Sequence, residues 1–228
     1  MREIALDTET TGFDPLTGDR IVEIGCVEML NHVSTGRVFH RYINPERPMP
    51  AEALAVHGLT DEFLSDKPVF AEIVEEFLEF IGDARLVIHN AEFDMKFINA
   101  ELARLGFQSL PMSRSFDTVA LCKKRFPGAQ ASLDALCKRF GIDNSNRTLH
   151  GALLDAQLLA EVYLELMGGR QPGLVLTETR EATALTTAAQ RTLRAPRPHA
   201  PTEDELAAHA EFLKKLKNPL WLAAEAAE

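Results

Sequence analysis

Asp7 and Glu9 stand two residues apart in a run, Ile4 to Thr10, whose apolar start reads as a β-strand, so both carboxylates leave the same face of the sheet. Anions held that close repel unless water screens them or a cation neutralises them, and hard oxygen donors at this spacing suit Mg²⁺ or Mn²⁺. Alone, the pair fits a solvated strand end as well as a metal site. Asp94 and Asp155 add to it. Counted at about 100° per residue, Asp94 falls beside Phe97, Ile98 and Leu105, and Asp155 beside Leu158, Leu159, Val162 and Leu166. A carboxylate facing an apolar layer is either satisfied by arginine or backbone donors or bound to a metal. For Asp94 the helix-start dipole is a further structural reason. His150 lies five residues before Asp155, so the two can converge. A lone histidine is more often structural or superficial, but beside four acids an imidazole that titrates near neutrality suits a base. The expected chemistry is phosphodiester hydrolysis: two divalent ions on Asp7, Glu9, Asp94 and Asp155, with His150 activating water.

Several elements must bring these residues together. Strands are expected at Ile4 to Thr10, Arg20 to Met29 and Val38 to Ile43, with a hairpin near Asn31 and Gly36, and a short fourth strand at Arg85 to His89. Helical apolar spacing marks Ala71 to Ile81, Ala91 to Leu105, Asp117 to Phe126, Ser132 to Phe140 and about Gly151 to Met167. Strands come mostly first and helices mostly later, which predicts an α/β fold with a mixed sheet. Val175 to Pro201, rich in Thr, Ala, Arg and Pro, reads as a linker. Order returns at a possible capping box, Thr202 to Glu205, followed by Leu206, Ala210, Leu213 and Leu216. A helix of about 16 residues is too short to stand alone and needs a surface to cover its apolar face.

With 24 basic against 34 acidic residues, net charge −10, a broad basic surface gripping duplex DNA is excluded, while a small site for a nucleic-acid end is not. Cys26, Cys122 and Cys137 lack metal-ligand spacing and read as buried thiols in a reducing compartment. No apolar run reaches the length of a membrane span and no signal peptide is evident, so a cytoplasmic location is expected.

Ile4 to Phe13 (IALDTETTGF), His89 to Asp94 (HNAEFD) and His150 to Ala156 (HGALLDA) resemble, in order and spacing, the three exonuclease motifs of the DEDDh 3′→5′ exonucleases. The likeness extends to the epsilon proofreading subunits of bacterial DNA polymerase III through Phe126-Pro127-Gly128, Ser132 to Cys137, Ile142 to Ser145 and Arg147 to Tyr163. It runs nearly unbroken from Ile4 to Gly169. This resemblance implies a ribonuclease-H-like fold, a five-stranded mixed sheet flanked by helices with a flexible C-terminal tail carrying a short helix. It implies two Mg²⁺ or Mn²⁺ ions and excision of mispaired 3′-terminal nucleotides as 5′-monophosphates. Asp7, Glu9 and Asp155 would then also touch substrate, and Glu52 and His57, in a stretch that otherwise reads as a short amphipathic turn, would meet the terminal nucleotide. Thr8, Thr10, Asn90 and Phe93 are weaker lining candidates, and Phe93 or Phe97 could stack on a base, Phe97 fitting the core equally well.

The resemblance divides the chain into an exonuclease domain at 1–169, a linker at 170–201 and a polymerase-binding segment at 202–228. Gln171, Leu174 and Leu176, within 171–176, resemble a sliding-clamp (beta) motif, though a plain linker reads the same way. Leu206, Leu213, Leu216 and Trp221 would dock on the polymerase III alpha subunit, the alternative being packing on the chain's own domain. A small theta-like subunit and a single-stranded 3′ end of DNA complete the implied partners. Two other readings stay open: a free-standing DEDDh RNase trimming RNA 3′ ends, against which the tail speaks, and a non-catalytic scaffold stabilising a polymerase, against which the complete acid set speaks.

Overall fold

The computed structural model describes residues 1–145, 147, 149–169 and 200–217. The chain divides into two units, Met1–Leu176 and Thr177–Glu228.

In the first unit β1 (Arg2–Thr10) is the middle strand of a five-stranded sheet. On one side of it lie β2 (Ile21–Leu30) and β3 (Val33–Tyr42), both antiparallel to their neighbours; on the other lie β4 (Arg85–Ile88) and β5 (Ser115–Asp117), both parallel. The mixture follows from the connections. A two-residue turn joins β2 to β3, with Asn31 (φ 52°) and His32 (φ 69°) in the left-handed region that such turns require. The chain then runs through α1 (Ala51–His57), α2 (Asp61–Leu64) and α3 (Phe70–Ile81), and returns parallel to β1 as β4. Next come α4 (Ala91–Arg104), β5, α5 (Thr118–Arg125), α6 (Leu133–Phe140) and α7 (Ala152–Leu166).

Alternate residues of β1 enter different cores. Ile4 and Leu6 pack with Phe77 of α3 and Met95, Phe97 and Ile98 of α4, whereas Ala5 packs with Leu136 of α6 and Leu158, Leu159 and Val162 of α7. Glu3 lies on the α7 side, fully buried, and is satisfied by the Tyr163 hydroxyl at 2.8 Å and by His32 Nδ1 at 2.7 Å. Tyr163 thereby ties the C-terminal half of α7 to the start of β1. The N-terminal end of α7 is seated by Gly25, opposite Asp7 on β2. A Cβ there would come within 2.2 Å of the Ala152 backbone. Only glycine lets the first turn of α7 lie directly on the sheet beside Asp7.

Three sequence expectations are corrected. The third strand starts at Val33, not Val38, because the turn is so tight; Gly36 (φ 83°) lies inside it, near where the β2 pairing shifts register between Val27 and Met29. Three residues of β5 precede the helix expected from Asp117, and Asp117 caps α5 by accepting from Val119 N at 2.8 Å. Leu105 follows α4 as its C-cap and is 38% exposed rather than part of the buried face. All three cysteines are buried and unbonded. Among the described residues no helix is long and apolar enough to cross a membrane.

The second unit contains α8 (Glu203–Lys214). Its capping box is formed, with Thr202 N donating to Glu205 Oε2 at 2.8 Å and Glu205 N donating to Thr202 Oγ1 at 3.3 Å. None of its residues is buried, Leu213 is half-buried, and Leu206, Phe212 and the following Leu216 are exposed. Gln171, Leu174, Leu176 and Trp221 lie outside the described residues.

Candidate active site

The site forms where β1 meets the first turns of two helices from opposite layers. β1 presents Asp7 and Glu9 on the α7 side, facing Gly25 and Glu23 of β2. α7 supplies Asp155 in its first turn, and α4, on the other side of the sheet, supplies Asp94 in its own. Asn90, in the left-handed conformation (φ 75°), turns the chain sharply from β4 into α4. Thr8 Oγ1 donates to Asp94 Oδ1 at 2.7 Å and so fixes that carboxylate to β1.

Packing acids together in a buried place shifts their protonation. Burial, then the carboxylates of Asp94, Glu9 and Asp155, raise Asp7 well above the usual range, although part of its surface reaches solvent. Glu9 is pushed up to about 8, by burial first and then by Asp155, Glu23 and Asp94. Asp94 rises to about 7, chiefly through burial, against the Thr8 hydrogen bond. A group of acids that resist ionisation together is short of positive charge.

Arg147 supplies some of it. Its Nε reaches Asp155 Oδ1 at 2.5 Å, Nη2 reaches Oδ2 at 2.7 Å, and Nη1 reaches Asp134 of α6 at 2.8 Å. Both carboxylates hold the guanidinium firmly charged, the hydrogen bond to Asp155 acting most strongly. The sequence reading allowed for an arginine on a buried acid without naming one; the signal was Arg147 itself, three residues before His150 in the resembling run. Arg147 Nη2 also donates to His150 Nδ1 at 2.8 Å, and that same nitrogen lies 3.3 Å from Asp155 Oδ2. His150 N donates to Val56 O at 3.2 Å, anchoring its loop to α1.

Glu9, His150 and Asp155 bring ligand atoms within 4.8 Å of one another, and Asp7 and Asp94 add carboxylates whose charge is felt across the site. Electron-rich, oxygen-dominated and open to solvent at His150, this donor set fits a hard divalent cation.

A cleft of about 720 Å³ opens beside them. Thr8, Thr10, Glu52, His57, Asn90 and Phe93, all singled out in the sequence, line it together with Glu9 and His150. Phe97 instead is fully buried in the core, its ring 5.0 Å from that of Phe93, which remains half-buried at the cleft. His57 is buried with Nδ1 accepting from Leu59 N at 3.0 Å, and its buried Nε2 has no hydrogen-bond partner. Burial lowers its pKa against the opposing pull of the Thr10 backbone, and with Nδ1 accepting the neutral ring carries its proton on Nε2. The rim from Thr11 to Asp19 is fastened by Arg47 to Asp19 at 2.6 Å and by Lys96 to Asp14 at 2.9 Å. In the sequence the charged residues of this rim look like ordinary loop polarity. Phe13 on it is 82% exposed.

Residues 4–163 match the exonuclease family model. The DNA polymerase III subunit epsilon of Rickettsia felis is 52% identical over 222 residues, covering 95% of this chain and 97% of the relative, and that of Escherichia coli K12 is 46% identical over 243 residues, covering 97% and 98%. The chain belongs to the exonuclease family, among the epsilon subunits of DNA polymerase III. Membership makes it an enzyme, a 3′→5′ exonuclease, and the fold is one that works with divalent metal ions. Among solved structures, exonuclease X in complex with 5′-overhanging duplex DNA is 26% identical with a TM-score of 0.55, covering 73% of this chain and 90% of that one. The nuclease domain of 3′hExo, a DEDDh family member bound to rAMP, shares the fold at 17% identity and a TM-score of 0.64, covering 73% and 91%.

Proposed function

We propose that the protein proofreads for DNA polymerase III, removing mispaired 3′-terminal nucleotides as 5′-monophosphates. The observation that carries this is the grouping of Glu9, His150 and Asp155 within 4.8 Å, with Asp7 and Asp94 electrostatically coupled to them, beside a cleft that Glu9 and His150 line. Asp7, Glu9, Asp94 and Asp155 would hold two divalent ions, Mg²⁺ or Mn²⁺. When bound, such ions polarise the phosphodiester and acidify the attacking water.

The chain's own residues do the rest. His150 accepts the water's proton at Nε2 once Arg147 Nη2, which donates to Nδ1 at 2.8 Å, withdraws and leaves Nδ1 to carry its proton towards Asp155 Oδ2, 3.3 Å away. His57, a buried donor whose Nε2–H lacks a partner, suits an oxygen of the terminal nucleotide. Glu52 stands exposed at the cleft's edge to meet the same nucleotide, and Phe93 offers it a ring face. Selection of mismatches follows because a mispaired end frays more readily and loses less pairing energy on entering a single-strand cleft.

This reading includes the alpha subunit as partner through Leu206, Leu213, Leu216 and Trp221, the sliding clamp through Gln171, Leu174 and Leu176, a small theta-like subunit, and a cytoplasmic location. Purified protein incubated with a 3′-mispaired primer-template and Mg²⁺ should release the terminal nucleotide as its 5′-monophosphate, and Asp7→Ala and His150→Ala should not. Release of nothing by the wild type would favour the scaffold reading. Faster trimming of RNA than of DNA would favour the RNase.

A further inference from the structure

Every lysine and arginine before Thr118 sits in an ion pair except Arg85 and Arg114. Those two are occupied otherwise, Arg85 over the Phe116 ring and Arg114 on the Ala84 carbonyl. The pattern stops at α5. Between Thr118 and Phe140 stand Lys123, Lys124, Arg125, Lys138 and Arg139 against a single acid, Asp134, which Arg147 already engages at 2.8 Å. All five cations are exposed, and among the described residues none forms an ion pair.

They stand on two helix ends that meet. The Arg139 guanidinium lies 4.5 Å from the centre of the Phe126 ring, and Phe126 packs on Phe140 with ring centres 6.2 Å apart, so the last turns of α5 and α6 adjoin. Helix C-termini favour cations, but Arg104 in the same position on α4 is paired with Glu101. Arg125 donates to the Leu166 carbonyl and Arg139 covers Phe126, so the charges that neither the dipole nor a partner accounts for are Lys123, Lys124 and Lys138, in a chain of net charge −10.

We propose that this patch holds the phosphate backbone of the strand whose 3′ end lies in the cleft. The proposal rests on the nuclease reading of that cleft. α6 links the two places: Asp134 in its first turn binds Arg147, which holds Asp155, while Lys138 and Arg139 occupy its last turn. Its 8 residues span about 12 Å. At about 3.4 Å per stacked nucleotide that is three to four phosphates behind the terminus. Elsewhere the acidic surface repels a polyanion, so a small basic strip is enough to set the strand's path. Lysines act on phosphate as flexible point charges and need no fixed register, which suits a strand that must advance after each excision.

The full chain carrying Lys123→Gln, Lys124→Gln and Lys138→Gln together tests this, since these exposed substitutions keep the side-chain stems and leave the cleft alone. For a single-stranded octanucleotide KM should rise about tenfold, and log(kcat/KM) should fall less steeply with log[salt], by about 2 in slope. Hydrolysis of a dinucleotide, which fills the cleft without reaching α6, should stay at the wild-type rate. Wild-type KM and salt slope on the octanucleotide would overturn the proposal. Equal losses on both substrates would also overturn it, by showing that the patch acts on the cleft itself. A wild type inert even on the dinucleotide overturns the nuclease reading, and this proposal with it.

Discussion

Arg147 and Asp155 form two parallel hydrogen bonds, Nε to Oδ1 at 2.5 Å and Nη2 to Oδ2 at 2.7 Å, and this contact decides which nitrogen of His150 is available as a base. While Nη2 also donates to His150 Nδ1 at 2.8 Å, the imidazole proton must sit on Nε2, where it blocks proton acceptance. With the arginine withdrawn, Nδ1 can carry the proton towards Asp155 and Nε2 is free. Arginine and a divalent ion also seek the same two oxygens.

Arg147→Ala should therefore bind Mn²⁺ several-fold more tightly than wild type by calorimetry. Without divalent ions it should also melt lower, because a buried carboxylate loses its counter-charge, a change that costs on the order of 3 kcal/mol. Added Mg²⁺ should recover more of the melting temperature in the variant than in the wild type.

The raised acids make the metal-free protein's stability depend on pH. Glu9, at about 8, and Asp94, at about 7, hold protons in the folded state that they give up near pH 4 to 5 when unfolded. The folded state thus binds more protons between these limits, so stability falls as pH rises from about 4.5 to 8. Urea unfolding in EDTA should show this decline, and a saturating divalent ion should flatten it. A stability that rises over the same range in EDTA would show that the carboxylates are not crowded as described.

Gly25→Ala inserts a methyl group 2.2 Å from the Ala152 backbone. Relief requires α7 to lift from β2, at a cost of about 1–3 kcal/mol, and it carries Asp155 away from Asp7 and Glu9. Exonuclease activity should fall by about 10²-fold or more, while circular dichroism still reports a folded α/β chain.

His57→Phe removes a donor that makes no well-formed hydrogen bond, its nearest polar neighbour being the Thr10 backbone, so the melting temperature should change little. KM for a DNA 3′ end should rise about tenfold, equivalent to one hydrogen bond, with kcat much less affected. An unchanged KM would remove His57 from the substrate contacts.

The acids were legible in the sequence because each broke a pattern: Asp94 and Asp155 interrupt apolar helix faces, and Asp7 and Glu9 follow an apolar strand start. Long helices such as α3 and α7 were readable for the same reason, their periods being sampled several times over. β5 was not, since three residues carry no period, and the start of β3 was obscured because Gly36 looks like a turn while lying within the strand. His57 and Glu52 entered through resemblance alone. What makes His57 distinctive, a buried Nε2 without a partner, arises only from packing. Arg147 was in view but unranked, because nothing local in the sequence tells an arginine that grips a buried acid from one that faces water.

Asp7, Glu9 and Asp94 are all synthesised within the first hundred residues, whereas His150 and Asp155 come late and reach the others only when α7 settles on Gly25. A nascent or truncated chain ending before Ala152 would carry most of the acids and still have no cutting centre. In an exonuclease, the order of residues along the chain thus acts as a safety interlock: the acids are brought together only by the completion of folding itself.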